Sequence, residues 1–493
     1  MNRTMVGIIT TAVLAILATN VRSSEPVGAR ASQQAPRNVV FILSDDHRYD
    51  LMGFHANAPA WLETPAFDRM AAEGAHLQNA FVTTALCSPS RASILTGRYA
   101  HRHGVVDNTS AIPQGTVFFP QYLQQAGYRT AYIGKWHMGE DADSDMPRPG
   151  FDHWISFRGQ GAYTNPLLNV NGARAQMQGY TTDILTDSAV AWLGRQQPSQ
   201  PFFLYLSHKA VHAEFEPAPR HAGQYADERI PYPPTMPNTE ANYREKPRWV
   251  YEQRFSWHGV DYMFHGQFDF DTFYRRYMET LLALDESVGR VLEFLDRSGL
   301  SRNTLVVYMG DNGFLLGEHG LIDKRNAYEE SMRVPMLAWA PGWIAPGSTI
   351  PTLVRNIDIA PTFLELAGAR AGHEMDGRSF LPALRGEPMT QEGEFLYEYY
   401  WEYAFPHTPT TFALRGDRYK YIFYHGVWDL QELYDLETDA GETFNLINAP
   451  EHRARVEQMR GRLFDRLETA NAMAVPLRRG SWQAAERLRG GGQ

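Results

Sequence analysis

The 493-residue chain holds one cysteine, Cys87, so an intramolecular disulfide is excluded and this residue serves some purpose other than cross-linking. The chain has no run of basic residues, and its formal net charge is −10. That excludes non-specific binding to nucleic acid or anionic membranes; an anionic ligand has to be drawn by local cations. The apolar stretch Met5–Ala18 is too short for a comfortable membrane span. It follows Arg3 and leads to small residues around Val21-Arg22-Ser23. This is the form of a secretory signal peptide over residues 1–23, with an uncleaved anchor as the alternative. No cysteine follows the stretch to carry a lipid, and residues 24–36 are polar and read as a linker. A secreted or periplasmic protein is expected, with no stable membrane anchor. No internal repeat is visible.

Apolar residues make up 43% of the chain, enough for a large core. Asn38–Ser44, Thr130–Gly134, Phe202–Leu206, Leu305–Gly310 and Met336–Trp339 are short apolar runs rich in β-branched and aromatic residues. They read as strands buried on both faces. Helical patterns lie between them, at Pro65 to Gly74, Phe118–Ala126, Thr181–Arg195, Asp271–Leu295 (capped by Asp271) and Asp358–Leu366. The fold class is therefore α/β, with a large, mostly parallel sheet between helices. Residues 213 to about 270 have neither period and read as a surface excursion. After Pro382 the composition shifts toward Tyr and Trp, and Thr410–Leu414 and Tyr419–Tyr424 flank Arg415-Gly416-Asp417. This predicts a small antiparallel sheet with one helix near Glu451–Glu468. The expected division is residues 37–385 as the main domain and 386–493 as a C-terminal subdomain, with disorder from Arg487 onward.

In such sheets ligands bind where the strands end. Four strands end in ionisable residues: Asp45-Asp46, Lys135 with His137, His208 with His212, and Asp311-Asn312. Three carboxylates and an amide oxygen suit a hard divalent cation, calcium more readily than magnesium because the set is irregular. Left uncompensated they would repel, which also calls for a cation. Helix or turn capping is the alternative for either aspartate pair. Cys87-Ser88-Pro89 reads as a helix entrance, with Ser88 as N-cap and Pro89 in the first turn, which sets Cys87 beside free N–H groups that favour an anion. Arg91 lies one turn on. Arg91, Lys135 and Lys324 with a divalent metal describe a pocket for a compact anion such as sulfate or phosphate, and His137, His212 and His319 offer proton transfer. Spacing alone leaves Lys324 open, and His319 equally fits a plain loop residue. Trp249, Tyr251, Phe255, Trp257, His258 and Tyr399-Tyr400-Trp401 either stack on sugar rings or pack.

Cys87-Ser88-Pro89-Ser90-Arg91 followed by Leu95-Thr96-Gly97-Arg98 resembles the signature of the type I, formylglycine-dependent sulfatases of the alkaline phosphatase superfamily. Gly134-Lys135-Trp136-His137 resembles that family's second signature, and Asp45-Asp46 and Asp311-Asn312-Gly313 resemble its calcium ligands. Gly317-Glu318-His319-Gly320 through Lys324, Arg333-Val334-Pro335, Asp376-Gly377-Arg378-Ser379 and Glu432–Leu436 read the same way. The resemblance spans about residues 37–450. It implies that a maturation enzyme converts Cys87 to formylglycine, whose hydrate attacks sulfur. Calcium would be held by Asp45, Asp46, Asp311, Asn312 and the residue made from Cys87. Arg91 would steady the nucleophile and His137 would act as base. Lys135, Lys324 and His212 would hold sulfate and protonate the leaving oxygen, with His208, His319 and Arg325 as further substrate contacts. Where many relatives have Pro-His, this chain has Val211-His212.

A thiolate phosphatase needs arginine six residues after its cysteine, and Ser93 stands there. A phosphonate monoester or phosphodiester hydrolase on the same scaffold, an aryl or choline sulfatase, and a sulfated-glycan binding protein with a dead nucleophile remain as alternatives. The expected substrate is a sulfated polysaccharide or oligosaccharide.

Overall fold

In the chain's first strand, β1 (Asn38–Ser44), every residue is buried. Side chains alternate across a strand, so Val39, Phe41 and Leu43 enter one core while Val40 and Ile42 enter another on the opposite face. The structure is a computed structural model and describes residue 1 and residues 37–139, 144–262, 268–390, 392–426 and 429–476. The expected signal peptide, linker and C-terminal disorder lie outside the described residues.

The other strands of the large sheet are β2 (Ala75–Phe81), β3 (Arg129–Lys135), β4 (His153–Phe157), β5 (Leu167–Val170), β6 (Ala173–Gln176), β7 (Phe202–Ser207), β8 (Thr304–Gly310), β9 (Met336–Trp339) and β10 (Ser348–Arg355). They lie in the order β10-β2-β9-β8-β1-β7-β3-β4-β5-β6. The central run β8-β1-β7-β3-β4 is parallel throughout, whereas β9 and the β4-β5-β6 edge are antiparallel. The sheet is thus mixed around a parallel centre. Ser44 pairs with Gly310, Leu43 with Ser207, and Gly134 with Ser207. Four strands therefore finish level at one edge.

Helices cover both faces. Pro65–Glu73, Thr181–Leu193 and Phe270–Arg297 pack over Val40 and Ile42. Cys87–Thr96, Phe119–Gln125 and Ile359–Leu366 pack over Phe41 and Leu43. A second sheet runs β11 (Glu394–Tyr399), β12 (Thr411–Gly416), β13 (Tyr419–Tyr424), β14 (Glu432–Asp435), antiparallel throughout. The helix Arg453–Thr469 lays Met459, Leu463 and Leu467 against it. This is the alkaline phosphatase-like arrangement. No helix among the described residues is long and apolar enough to cross a membrane.

Several expectations change in detail. A short strand is expected over Phe81–Thr84, but only Phe81 is in one, as the last residue of β2, whose polar His76, Gln78 and Asn79 hide its period. The long helix is capped by Asp269, which accepts from Thr272 N, and not by Asp271. The 213–270 excursion is partly core: Phe215 and Val250 are buried, and Trp249 packs on Tyr424.

Candidate active site

The level strand ends bring Asp45, Asp46 and Asp311 together, each with a carboxylate oxygen within 4.8 Å of the others. All three are buried. Asp46 and His137 take left-handed backbone conformations (φ 55° and 51°), which cost energy in non-glycine residues and collect at functional sites. Tyr277 of the long helix holds Asp46 in place by donating to its carbonyl at 2.5 Å. Gly134 is required by the closeness of β3 to β7, since a Cβ there would lie 1.7 Å from the Ser207 carbonyl oxygen.

Arg91, buried, binds the cluster from the side. Its Nε donates to Asp311 Oδ2 at 2.8 Å, its Nη2 to Asp45 Oδ2 at 3.0 Å, and its Nη1 to Lys135 O and Ser207 Oγ. Lys135 Nζ donates to Asp45 and to Gln160, and Lys324 Nζ to Asp46. The three carboxylates are therefore not left to repel one another; three cations already lie on them. Compensation is uneven. Burial works against ionising Asp45, but Lys135 and its other cationic neighbours hold its pKa well below the ordinary range. Burial pushes Asp46 up, and it pushes Asp311, beside Asp45, up to about 7. Asn312 Nδ2 donates to Asp46 at 2.6 Å, while its Oδ1 is buried without a hydrogen-bond partner among the described residues. Two under-compensated carboxylates and an orphaned amide oxygen beside Asp45 fit a hard divalent cation.

Cys87 is buried, with Sγ 2.9 Å from Lys324 Nζ and 3.4 Å from Asp45 Oδ1. Burial and Asp45 push its thiol up to about 12, which disfavours the thiolate, the nucleophilic form of a cysteine. The helix begins at Cys87 itself, with no side-chain cap from Leu86. Ser88 does not cap it. Its hydroxyl donates to His137 O, and its N–H donates to Asn108 Oδ1 at 3.0 Å. His137 and His212 are kept neutral by burial and by Lys135. His212 Nδ1 donates to Ala213 O at 2.8 Å, which leaves the Nε2 lone pair toward Asp46 Oδ2, 3.8 Å away.

Residues 37–369 match the model of the sulfatase family, and residues 317–469 match that of the N-sulphoglucosamine sulphohydrolase C-terminal region. The chain belongs to the sulfatase family. It is a sulfuric ester hydrolase. It is 32% identical over 490 residues to the N-acetylglucosamine-6-O-sulfatase of Bacteroides thetaiotaomicron, covering 86% of this chain and 84% of that one. It is 33% identical over 395 residues to the human N-acetylglucosamine-6-sulfatase, covering 76% of this chain and 68% of the relative. A solved structure in complex with its substrate D-glucosamine-2-N,6-O-disulfate superposes with a TM-score of 0.81 at 30% identity, over 90% of this chain and 99% of the other.

Three expected substrate contacts do not join the cluster. His208 lies one residue past Ser207, so its ring turns to the opposite face, where Nε2 meets Ser287 Oγ at 3.0 Å; it is a core residue. His319 is buried on the Tyr328 ring, 4.3 Å away, beside Lys246 and Lys420. Arg325 is buried too, with Nη1 on Asp323 at 2.9 Å and Nε on Glu402 at 2.7 Å. Tyr399 and Tyr400 are also buried, which leaves Trp401 exposed. Gln160, Ser207, Asn108 and Tyr277 also hold the site: Ser207 ends β7, Gln160 and Asn108 reach it from loops and Tyr277 from the long helix, and none carries a motif of its own.

Proposed function

We propose that the protein hydrolyses a sulfate ester of a carbohydrate, the 6-O-sulfate of a glucosamine unit, with a nucleophile made from Cys87. The observation that carries the reading is the seat of Cys87, between Lys324 Nζ and Asp45 Oδ1, in a chain 32% identical to an N-acetylglucosamine-6-O-sulfatase over most of both lengths. Residues 37–385 are taken as the catalytic part, 386–493 as a C-terminal subdomain, and residues 1–23 as a signal peptide that sends the protein out of the cytoplasm.

Asp45, Asp46, Asp311 and Asn312 would hold calcium, with the residue made from Cys87 facing it. When bound, calcium supplies Lewis-acid charge for sulfate oxygens, and formylglycine, made by a separate maturation enzyme, supplies an oxygen nucleophile in place of an inert thiol. The chain's own groups do the rest. Arg91 spans Asp45 and Asp311 and fixes their separation. Lys135 and Lys324 present ammonium groups to the developing charge on sulfate from two sides. His137 and His212 are neutral imidazoles, so each can accept a proton at a ring nitrogen that faces the cluster or lacks a partner. In this tautomer His212 must first gain a proton at Nε2 before it can pass one to the leaving sugar oxygen.

The test is sulfate release across a panel of defined sulfated sugars and a simple aryl sulfate. Hydrolysis of N-acetylglucosamine 6-sulfate well above the aryl ester is expected. Rapid turnover of aryl or choline sulfate with none of the sugars would defeat the carbohydrate reading, and preference for a phosphonate ester would defeat the sulfatase reading. Lys324→Ala is expected to lower kcat by about 10²-fold or more with the fold kept, as loss of a group aimed at transition-state charge does.

A further inference from the structure

Lys324 lies outside any helix or strand, unlike Lys135, which ends β3, and its ammonium rides on a flexible four-carbon stem. Yet its Nζ is held 2.9 Å from Cys87 Sγ while it donates to Asp46. Backbone bonds fix the stretch around it at three points. Ile322 N donates to His258 O at 2.8 Å, Leu315 N to Asp323 O at 2.8 Å, and Asn326 N to Lys324 O at 2.9 Å. The rest of the hold comes from the side chains of its two chain neighbours.

Asp323 and Arg325 pair with each other across Lys324, with Arg325 Nη1 donating to Asp323 Oδ1 at 2.9 Å, and each is tied outward. Asp323 Oδ2 accepts from Gln253 Nε2 at 2.9 Å, and Gln253 Oε1 accepts from Thr408 Oγ1 at 3.0 Å. Arg325 Nε donates to Glu402 Oε1 at 2.7 Å, an oxygen that also accepts from the Tyr399 hydroxyl at 3.0 Å. The guanidinium lies 3.8 Å from the Phe405 ring centroid. Tyr399 ends β11, and Glu402, Phe405 and Thr408 lie in the connection from β11 to β12. Asp323, Arg325, Glu402, Gln253 and Thr408 are all buried. Burial holds His258, 3.6 Å from Asp323, at about 4, so at neutral pH Arg325 is left to balance both Asp323 and Glu402. An ion network of this kind gains little net stability, because desolvating its charges offsets their attraction. What it fixes is geometry: a planar fork that bonds two carboxylates and stacks on a ring has one seat.

We infer that Arg325 is a positioning residue for the hydrolysis: clamped between Asp323 and Glu402, it holds the stretch that aims the Lys324 ammonium at the sulfate. The β11–β12 connection of the second sheet thereby sets active-site geometry through Lys324. The inference rests on the reading of Lys324 as a group that meets sulfate.

The experiment is a double-mutant cycle. Arg325→Lys keeps the charge and loses the fork. It is made in the wild type and in Lys324→Ala, and kcat and KM are measured on whichever ester of the panel above the wild type hydrolyses fastest, in protein whose Cys87 conversion is quantified. Arg325→Lys is expected to lower kcat by about tenfold with KM within about threefold, because a group aimed at transition-state charge is displaced. In Lys324→Ala the same change is expected to cost about twofold or less, since residues that act through one contact are not additive. Glu402→Gln keeps an acceptor for Arg325 without the charge; it is expected to lower kcat by about threefold with the same dependence on Lys324, and it carries the test where Arg325→Lys does not fold. An equal loss in both backgrounds gives Arg325 a structural role alone and overturns the inference. So does unchanged kcat in a normally folded Arg325→Lys protein, or failure of both variants to fold. Lys324→Ala as active as the wild type overturns the reading of Lys324 and this inference with it.

Discussion

Arg91 shows how much of the site rests on one buried side chain. It meets two carboxylates, a carbonyl and a hydroxyl with no exposure to solvent worth counting. Arg91→Met would leave Asp45 and Asp311 facing each other across a dry gap. A loss of about 3–5 kcal/mol in unfolding free energy is expected by chemical denaturation, along with loss of activity. An unchanged midpoint would show that the carboxylates are neutralised some other way. Arg91 itself was legible from sequence, as were Asp45, Asp46, Lys135, Asp311 and Cys87, because each sits at or near a strand or helix end with a local pattern. His208 was misread for a reason the pattern already contained: sides alternate along a strand, and Ser207 had taken the side that faces Arg91. Gln160 was missed because it follows β4, a strand without a clear apolar run, and nothing local ties it to Lys135.

At the level of elements, the parallel centre was legible because strands buried on both faces must be continuously apolar. The edges were not: β2, β5 and β6 mix polar residues with apolar ones, and β9 runs antiparallel although its composition matches its parallel neighbours. Helix ends depend on tertiary partners as well. The Pro65–Glu73 helix receives no side-chain cap from Thr64; Asp285 of the long helix reaches over instead and accepts from Ala66 N at 3.1 Å and Phe67 N at 2.8 Å. Burial pushes Asp285 up to about 7, against about 3.9 in an unfolded chain. A raised acid of this kind contributes stability that is complete below about pH 4 and is lost as pH rises toward 7. Asp285→Asn cannot titrate, so the difference between variant and wild type is expected to shift in the variant's favour between pH 4 and 7, by up to about 4 kcal/mol, and to stay flat above. A constant offset across that range would refute the shift. Gly134→Ala tests the strand approach. Its Cβ would overlap the Ser207 carbonyl, and a loss of about 3 kcal/mol or more, or failure to fold, is expected.

For the whole molecule, a mixed sheet gathers residues from positions 45 to 324 at one edge. Three cations lie on three carboxylates there, and the imbalance left at Asp46 and Asp311 favours a divalent ion. Stripping divalent ions is expected to abolish turnover and lower the melting temperature, with calcium restoring both. Activity that survives complete chelation would contradict a role for a divalent ion. That Cys87 is a precursor and not the nucleophile is tested most directly by measuring 6-sulfate release from N-acetylglucosamine 6-sulfate in preparations whose Cys87-to-formylglycine conversion is quantified by peptide mass. Turnover should scale with the converted fraction and vanish in Cys87→Ala. Full activity in protein whose Cys87 is an unmodified thiol would contradict it.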